Sequence, residues 1–421
     1  MAINTESLSA GGPVSPARPL VVSRARTGRR ILTDRWASRL VVVGGIVIIA
    51  CILAILFVIA VEVYPLFKAP TATFVGSYGT AAAGRGPAPG DSVGVDEYRE
   101  IAFTLTSRGS LEFTSLKGGP DIPAIAVPGL GGASVTGVAA LGKTRLVLGT
   151  SDGRVIPLDL KFDVRFTDGK RTVTAAPAFG EPAVLDPQKR RAVRLLAAGG
   201  ADAGGVTVAQ VGPADLVIQS VVEKKALIGG TRREESLESF APELSGEITA
   251  LKLDSRAEDL FIGTSQGQVL RYDMKDPASP RLTEIVAVAS KPGAPVTVLG
   301  FLIGDRTLVV GDQAGGVSTW QVGPPPGGGE KRLTRTHEFT SHAAPVVAVT
   351  ASKRDKGFAT ADGSGSVHVS YGTSGQTLLS FKAERPGLEA LVFAPKTDAL
   401  LAEDGQGVIA LWLVDNPHPE I

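Results

Sequence analysis

Two contrasting hydrophobic patterns run along this chain. From Leu40 to Val61 there are 22 residues without a charge, LVVVGGIVIIACILAILFVIAV. An α-helix needs roughly 20 apolar residues to cross the hydrocarbon of a bilayer. A lone segment can satisfy its backbone there only as a helix. After residue 95 the pattern changes to short β-rich runs broken by turn signals. Units read VTGVAALGKTRLVLGTSDGRVIPLDL from Val135, EITALKLDSRAEDLFIGTSQGQVLRYDM from Glu247 and GLEALVFAPKTDALLAEDGQGVIALWLVD from Gly387. Each predicts an apolar strand, a polar turn, a second apolar strand, a tight turn with Gly and a third, alternating strand. Asp152-Gly153 and Asp362-Gly363 are hairpin signals.

The residues taken to open the third strands are Leu111, Val155, Val206, Val269, Val317, Val367 and Val408, spaced by 44, 51, 63, 48, 50 and 41 residues. A period in the forties with three or four strands per unit is the mark of a β-propeller. The prediction is an all-β, WD40-like propeller of seven blades behind one transmembrane helix; a pair of irregular β-sandwiches is the alternative. The units at Leu111 and Val206 match least well. The long gap after Val206 holds the charged segment Lys224 to Glu238, expected as a surface loop or short helix. The last unit ends on its third strand, Ile409 to Val414, so a fourth is expected from Thr71 to Tyr78 (TATFVGSY). Closure of this kind removes an exposed sheet edge. The expected division is a disordered Arg-rich tail over 1–39, the transmembrane helix over 40–63, a linker with the ring-closing strand over 64–95, and the propeller over 96–421. Ala81 to Asp91 and Gly323 to Gly329 are expected as flexible stretches.

Charge orients the helix. Seven Arg precede it, Arg18 to Arg39, against Glu6 and Asp34; Glu62 and Lys68 are the charges just after it. Short Arg-rich segments stay cytoplasmic, so the N-terminus is expected inside a bacterial inner membrane, with the large domain periplasmic and Trp36 and Tyr64 at interfacial depth. Ile48-Ile49-Ala50-Cys51 loosely resembles a lipidation box, but the chain stays apolar after Cys51, and the apolar core is longer than a cleaved signal needs. An uncleaved anchor is the expectation. The only Cys lies in this span, which excludes an intrachain disulfide. Beyond Arg39 the chain holds 36 basic and 40 acidic residues, which gives no basis for nucleic-acid binding.

Candidate chemistry is sparse. Gly149-Thr150-Ser151-Asp152-Gly153 and Gly263-Thr264-Ser265-Gln266-Gly267 fit G-x-S-x-G, but a nucleophile elbow needs a strand-to-helix turn and both fall between strands. His337, His342, His368 and His418 lack the convergent partners of a zinc site. No phosphate-binding G-x-x-x-x-G-K-[ST] loop is present. Trp320 and Trp412 end third strands, where core packing is expected; the Trp and Cys patterns of quinone-cofactor propellers and the boxes of sialidase-type propellers are missing. Asp152, Gln266, Asp312, Asp362, Glu403 and Asp404 could form a polar rim around the central channel or be turn formers; turn formers are preferred. No catalytic, cofactor-binding or metal residue is expected, and the chain is not expected to be an enzyme.

TDRWASRLVVVGGIVIIACILAILFVIAVEVYPLF (Thr33 to Phe67) and LWLVDNPHPEI (Leu411 to Ile421) resemble segments of the elongated PstC-type phosphate ABC transporter permeases of proteobacteria. The first is similar to their first transmembrane region. The second is similar to the junction where a periplasmic β-rich insertion returns to the membrane. The resemblance implies the N-terminal part of such a permease, with a propeller that docks the phosphate-binding protein or regulates transport. Its partners would be the remaining permease subunits, the ABC ATPase and the periplasmic phosphate-binding protein, beside the lipid bilayer. The chain departs from the family in having a single span. A stand-alone anchored propeller scaffold for envelope assembly is the alternative.

Overall fold

The computed structural model describes residues 24–79, 86–119, 122–167, 169–200, 204–225, 231–324 and 328–415. Residues 1–23 of the expected tail, 81–85 and 325–327 of the expected flexible stretches, and 416–421 with His418 lie outside the described residues. The chain forms two compact units, residues 1–68 and 69–421.

The first unit is built on one helix, Arg24–Val63. Helical structure begins well before the charge-free span, so Arg24 to Arg39 is helix rather than tail. Arg is a good helix former, and nothing between Arg24 and Arg39 breaks the helix. At 1.5 Å per residue it is about 60 Å long, roughly twice the hydrocarbon thickness. From Leu40 to Val61 its large side chains are exposed on every face. A helix that is apolar all round belongs inside a large core or a membrane, and this one is long and apolar enough to cross a bilayer.

The second unit contains seven antiparallel sheets. Blades 1 to 6 take consecutive strands: 93–126, 135–184, 196–240, 248–287, 296–338 and 346–382. Blade 7 takes Leu388–Phe393, Ala399–Asp404 and Val408–Asp415, and its outer strand is Thr71–Gly79. That strand runs antiparallel to Val408–Asp415 from Thr71 opposite Asp415 to Gly79 opposite Val408, with a bulge at Val75. The first strands of blades 2 to 7 contact one another in ring order, and that of blade 7 contacts that of blade 1; Gly90, just before the first strand of blade 1, bridges Val138 of blade 2. First and second strands are therefore mostly buried and apolar, whereas outer strands alternate with solvent, as in Arg281–Ala287. The core lies between blades. Trp412 is only 2% exposed and packs with Phe74 of the closing strand and Phe381 of blade 6.

Blade 3 departs from the sequence reading. Val206 lies in its second strand, Gly204–Gln210, and the third strand is Leu216–Lys225. The Gly-rich segment before Val206 falls between strands one and two, and its Gly content imitates the sequence that precedes a third strand. The described parts of the segment expected as a loop or short helix, 224–225 and 231–238, lie in the paired strands Leu216–Lys225 and Thr231–Phe240. The exposed Glu234, Glu235 and Glu238 suit an outermost strand, where charge discourages edge-to-edge pairing.

Blade 2 carries the other irregularity. Its third strand, Arg154–Thr167, and fourth, Lys170–Phe179, form a hairpin longer than the blade. This extension, with the segment that follows it, accounts for the long spacing between the third strands of blades 2 and 3. It packs back on blade 1, where Phe162 meets Phe103 at 6.3 Å between ring centroids.

Candidate functional site

The turns between second and third strands lie on one face of the ring, together with the loops that join blades. The turns between first and second, and third and fourth, strands lie on the other. On the first face, the acidic residues flagged in the sequence hold turns closed. The Asp312 carboxylate accepts from the Ala314 and Gly316 N–H groups at 2.9 and 2.8 Å. Asp362 accepts from Ser364 and Ser366 at 3.0 and 2.9 Å, and Asp404 from Gln406 and Val408 at 3.0 and 2.9 Å. Thr264 fills the same position in blade 4, taking the Gln266 and Gln268 N–H groups.

The second oxygen of each Asp reaches the loop entering its blade. Asp312 accepts from the Ser290 N–H at 2.6 Å, Asp404 from Arg385 Nε at 2.7 Å, and Asp362 lies 3.5 Å from His342 Nδ1. Asp152 is instead tied to Arg154, which also donates to the Gly129 and Leu130 carbonyls. The Arg154 hydrogen bond holds the Asp152 carboxyl below its usual range.

The two G-x-S-x-G segments are equivalent turns. Ser151 Oγ accepts from the Ser134 N–H and Ser265 Oγ from the Glu247 N–H, each at 3.0 Å. Each serine ties its turn to the start of the same blade, and neither stands on a strand-to-helix elbow.

Three histidines are described, and the structure brings two together. His342 and His368 stack at 3.9 Å between centroids. His342 Nε2 pairs with Thr360 Oγ1 at 2.8 Å, and His368 Nδ1 with the Thr340 carbonyl at 3.2 Å. Burial and then the neighbouring His368 push the His342 ring down to about 4; burial also lowers His368. His337 lies apart, on the outer strand of blade 5, edge-on to Phe339. Among the described residues no group of three or more His, Cys, Asp or Glu is placed to hold a metal. Trp320 is buried, and its indole N–H donates to Ser318 Oγ at 2.9 Å.

Glu403 is a buried carboxyl in the wall between blades 7 and 1. Thr104 Oγ1 donates to its Oε2, while its Oε1 has no hydrogen-bond partner among the described residues. Burial, with Asp404, Glu112 and Glu389 nearby, raises it to about 8.

On the opposite face a cleft of about 360 Å³ opens at the seam between blades 7 and 1. Its centre is Tyr98, held in a turn by Asp96, whose carboxylate accepts from the Tyr98, Glu100 and Ile101 N–H groups. Arg171, from the long hairpin of blade 2, lies 4.0 Å from the Tyr98 ring centroid, and Lys396 of blade 7 lies 4.8 Å from it. Arg171 and Lys117 both donate to Glu100 Oε1, at 2.6 and 3.0 Å. Burial alone would raise Glu100, but these two hydrogen bonds hold its carboxyl below the usual range. Arg99 meets Asp398 across the seam at 3.4 Å. Val75 and Leu413 of blade 7 form an apolar lip. The sequence flagged none of these residues. They sit in turns and strands of three different blades, and only tertiary structure joins them.

Known structures match this architecture. The β-propeller domain of Myceliophteria thermophila Cps50 (Swd1) is similar at a TM-score of 0.56 and 14% identity, over 82% of this chain and 100% of that one. A chain of the mitotic checkpoint complex is similar at 0.56 and 12%, over 83% and 94%. No family model and no curated protein matches the chain.

The fold is a WD40-like, seven-bladed β-propeller.

This corrects the resemblance to PstC-type permeases drawn from the terminal segments. The likeness of the chain is to WD40 propellers, no permease family model matches, and nothing supports phosphate transport. The physical reason is that membrane spans draw on few residue types. Apolar length, flanking Arg and interfacial aromatics are demanded by any bilayer, so they carry little family information. The other segment used, Leu411 to Ile421, combines an ordinary third strand with residues 416–421, outside the described residues.

Proposed function

We propose that this chain is a membrane-anchored propeller scaffold of the bacterial envelope. It binds other proteins, not nucleic acid, and carries no enzymatic activity. The helix lies in the inner membrane with its Arg-rich end cytoplasmic, and the propeller is periplasmic. One observation carries the reading: the strand Thr71–Gly79, which completes blade 7, begins only a few residues after the membrane-length helix ends at Val63. Only residues 64–70 separate the membrane-length helix from the first strand of the ring. The buried turn-capping carboxylates of Asp312, Asp362 and Asp404 and the half-buried ties made by Ser151 and Ser265 support it too, because the residues that resembled chemistry are engaged in holding the blades. Propellers of this shape present broad faces suited to protein contacts.

The test is membrane topology. Alkaline phosphatase fused after Tyr78 should be active and the same reporter fused before Arg35 inactive. The full chain should resist extraction with alkaline carbonate. The opposite reporter pattern, or release by carbonate, overturns the reading.

A further inference from the structure

We propose that the seam cleft between blades 7 and 1 docks an acidic peptide segment of a partner protein. Lys396 takes a carboxylate of that segment, and the Val75–Leu413 lip takes an adjacent apolar side chain. The scaffold reading is presupposed here, and the site adds where a partner binds and by what chemistry.

Charge is the first argument. The chain beyond Arg39 is slightly acidic overall. The cleft inverts this, setting Arg99, Lys117, Arg171 and Lys396 against Glu97, Glu100 and Asp398. Three of the cations are engaged: Arg99 by Asp398, and Lys117 and Arg171 by one oxygen of Glu100. Lys396 has no carboxylate partner among the described residues. It rests on the same ring as the Arg171 guanidinium. Two cations against one aromatic ring repel each other, and an incoming carboxylate lowers that repulsion while gaining a charge-assisted hydrogen bond.

Shape and polarity narrow the occupant. About 360 Å³ sits at the low end of the range for ligand sites. The bulge leaves Val75 without a residue opposite it. It is 47% exposed and Leu413 is 41% exposed, beside the cations. A free inorganic anion leaves that lip wet, while an acidic residue next to an apolar one uses both features. The carboxylates of Glu97 and Asp398 oppose a run of phosphates, which disfavours nucleic acid.

The probe is a fluorescein-labelled capped peptide alternating Leu and Asp, measured by anisotropy against the full chain in detergent micelles, with a Leu/Asn peptide as control. The Leu/Asp peptide should bind saturably, about tenfold or more tighter than the control, and Lys396→Glu or Lys396→Met should weaken it about tenfold. Leu413→Ser should weaken it too, whereas Ile285→Ser on the outer strand of blade 4 should not. Equal affinity for the two peptides, absent saturable binding, or indifference to both Lys396 variants overturns the site. A photoreactive residue at position 413 in cells, with the captured segment mapped, separates the two readings. Lys396-dependent adducts on an acidic, apolar-flanked segment support the site. Adducts only from other propeller positions overturn the site and leave the scaffold. No adduct from any position overturns both.

Discussion

The hydroxyl of Thr104, on the second strand of blade 1, donates at 2.5 Å to Glu403 Oε2, on the second strand of blade 7. The wall where the ring closes thus holds a carboxyl that burial keeps protonated to about pH 8. The ordinary value is 4.5. Between these values the folded state holds a proton that the unfolded state has released, so stability falls as pH rises from 4.5 to about 8. The slope from this group is at most about 1.4 kcal/mol per pH unit. Glu403→Gln keeps an acceptor for Thr104 and removes the proton. Urea midpoints should show the variant more stable than the parent at pH 9, and the advantage should shrink towards pH 5. A constant difference across that range rejects the buried-acid account.

His342 produces the opposite slope. Its folded value lies near 4 against an ordinary 6.5, so the folded state resists a proton that the unfolded state accepts. The contribution is complete above 6.5 and is lost as pH falls from 6.5 towards 4. His368, also lowered, adds to the same loss. His342→Gln should flatten the decline in melting temperature over that window while lowering stability at pH 7.5, where Thr360 and the stacked His368 lose their fit. An unchanged acid decline sinks this assignment.

Gly267 closes the turn of blade 4 at φ +73°. A Cβ there would stand 2.7 Å from the Ala294 carbonyl oxygen and 2.6 Å from Ala289 Cβ. Gly267→Ala adds left-handed strain to a backbone clash, at a cost of about 1–3 kcal/mol. Gly293, at φ +76° with nothing within 4 Å, gives the control: Gly293→Ala should cost less, about 1 kcal/mol. Equal denaturant midpoints for the two variants refute the argument.

Trp412 joins the closing strand to the ring. Trp412→Ala should cost about 3–5 kcal/mol by the usual cavity scale. Phe74→Ala should cost less, because Phe74 is 41% exposed. A chain beginning at residue 86 should melt lower than one beginning at residue 69, since it lacks the whole outer strand of blade 7. Identical melting temperatures for the two chains rule out a closing role.

Where strands alternate and turns carry Gly, the chain could be read without a structure. Six of the seven third-strand residues fall at the start of third strands, and Thr71 to Tyr78 lies in the closing strand. Val206 misled because one β-hairpin turn resembles the next in composition, and register within a blade is set by neighbouring blades. The charged hairpin of blade 3 misled because an outermost strand needs no apolar face. The seam cleft was not legible at all. Tyr98, Arg171 and Lys396 are far apart in sequence, and their meeting depends on ring closure and on the extra length of the blade 2 hairpin.

Thr71 and Asp415 are paired neighbours, yet the ribosome makes them far apart in time. At typical synthesis rates about 20 seconds to a minute separates their emergence. The first strand of the propeller to appear is therefore the last to find its place. Until Val408–Asp415 arrives, Thr71–Gly79 has no hydrogen-bonding partner from its own blade, and Phe74 has no Trp412 to cover. Growth from the N-terminus cannot lock the ring blade by blade; the lock waits for Val408–Asp415.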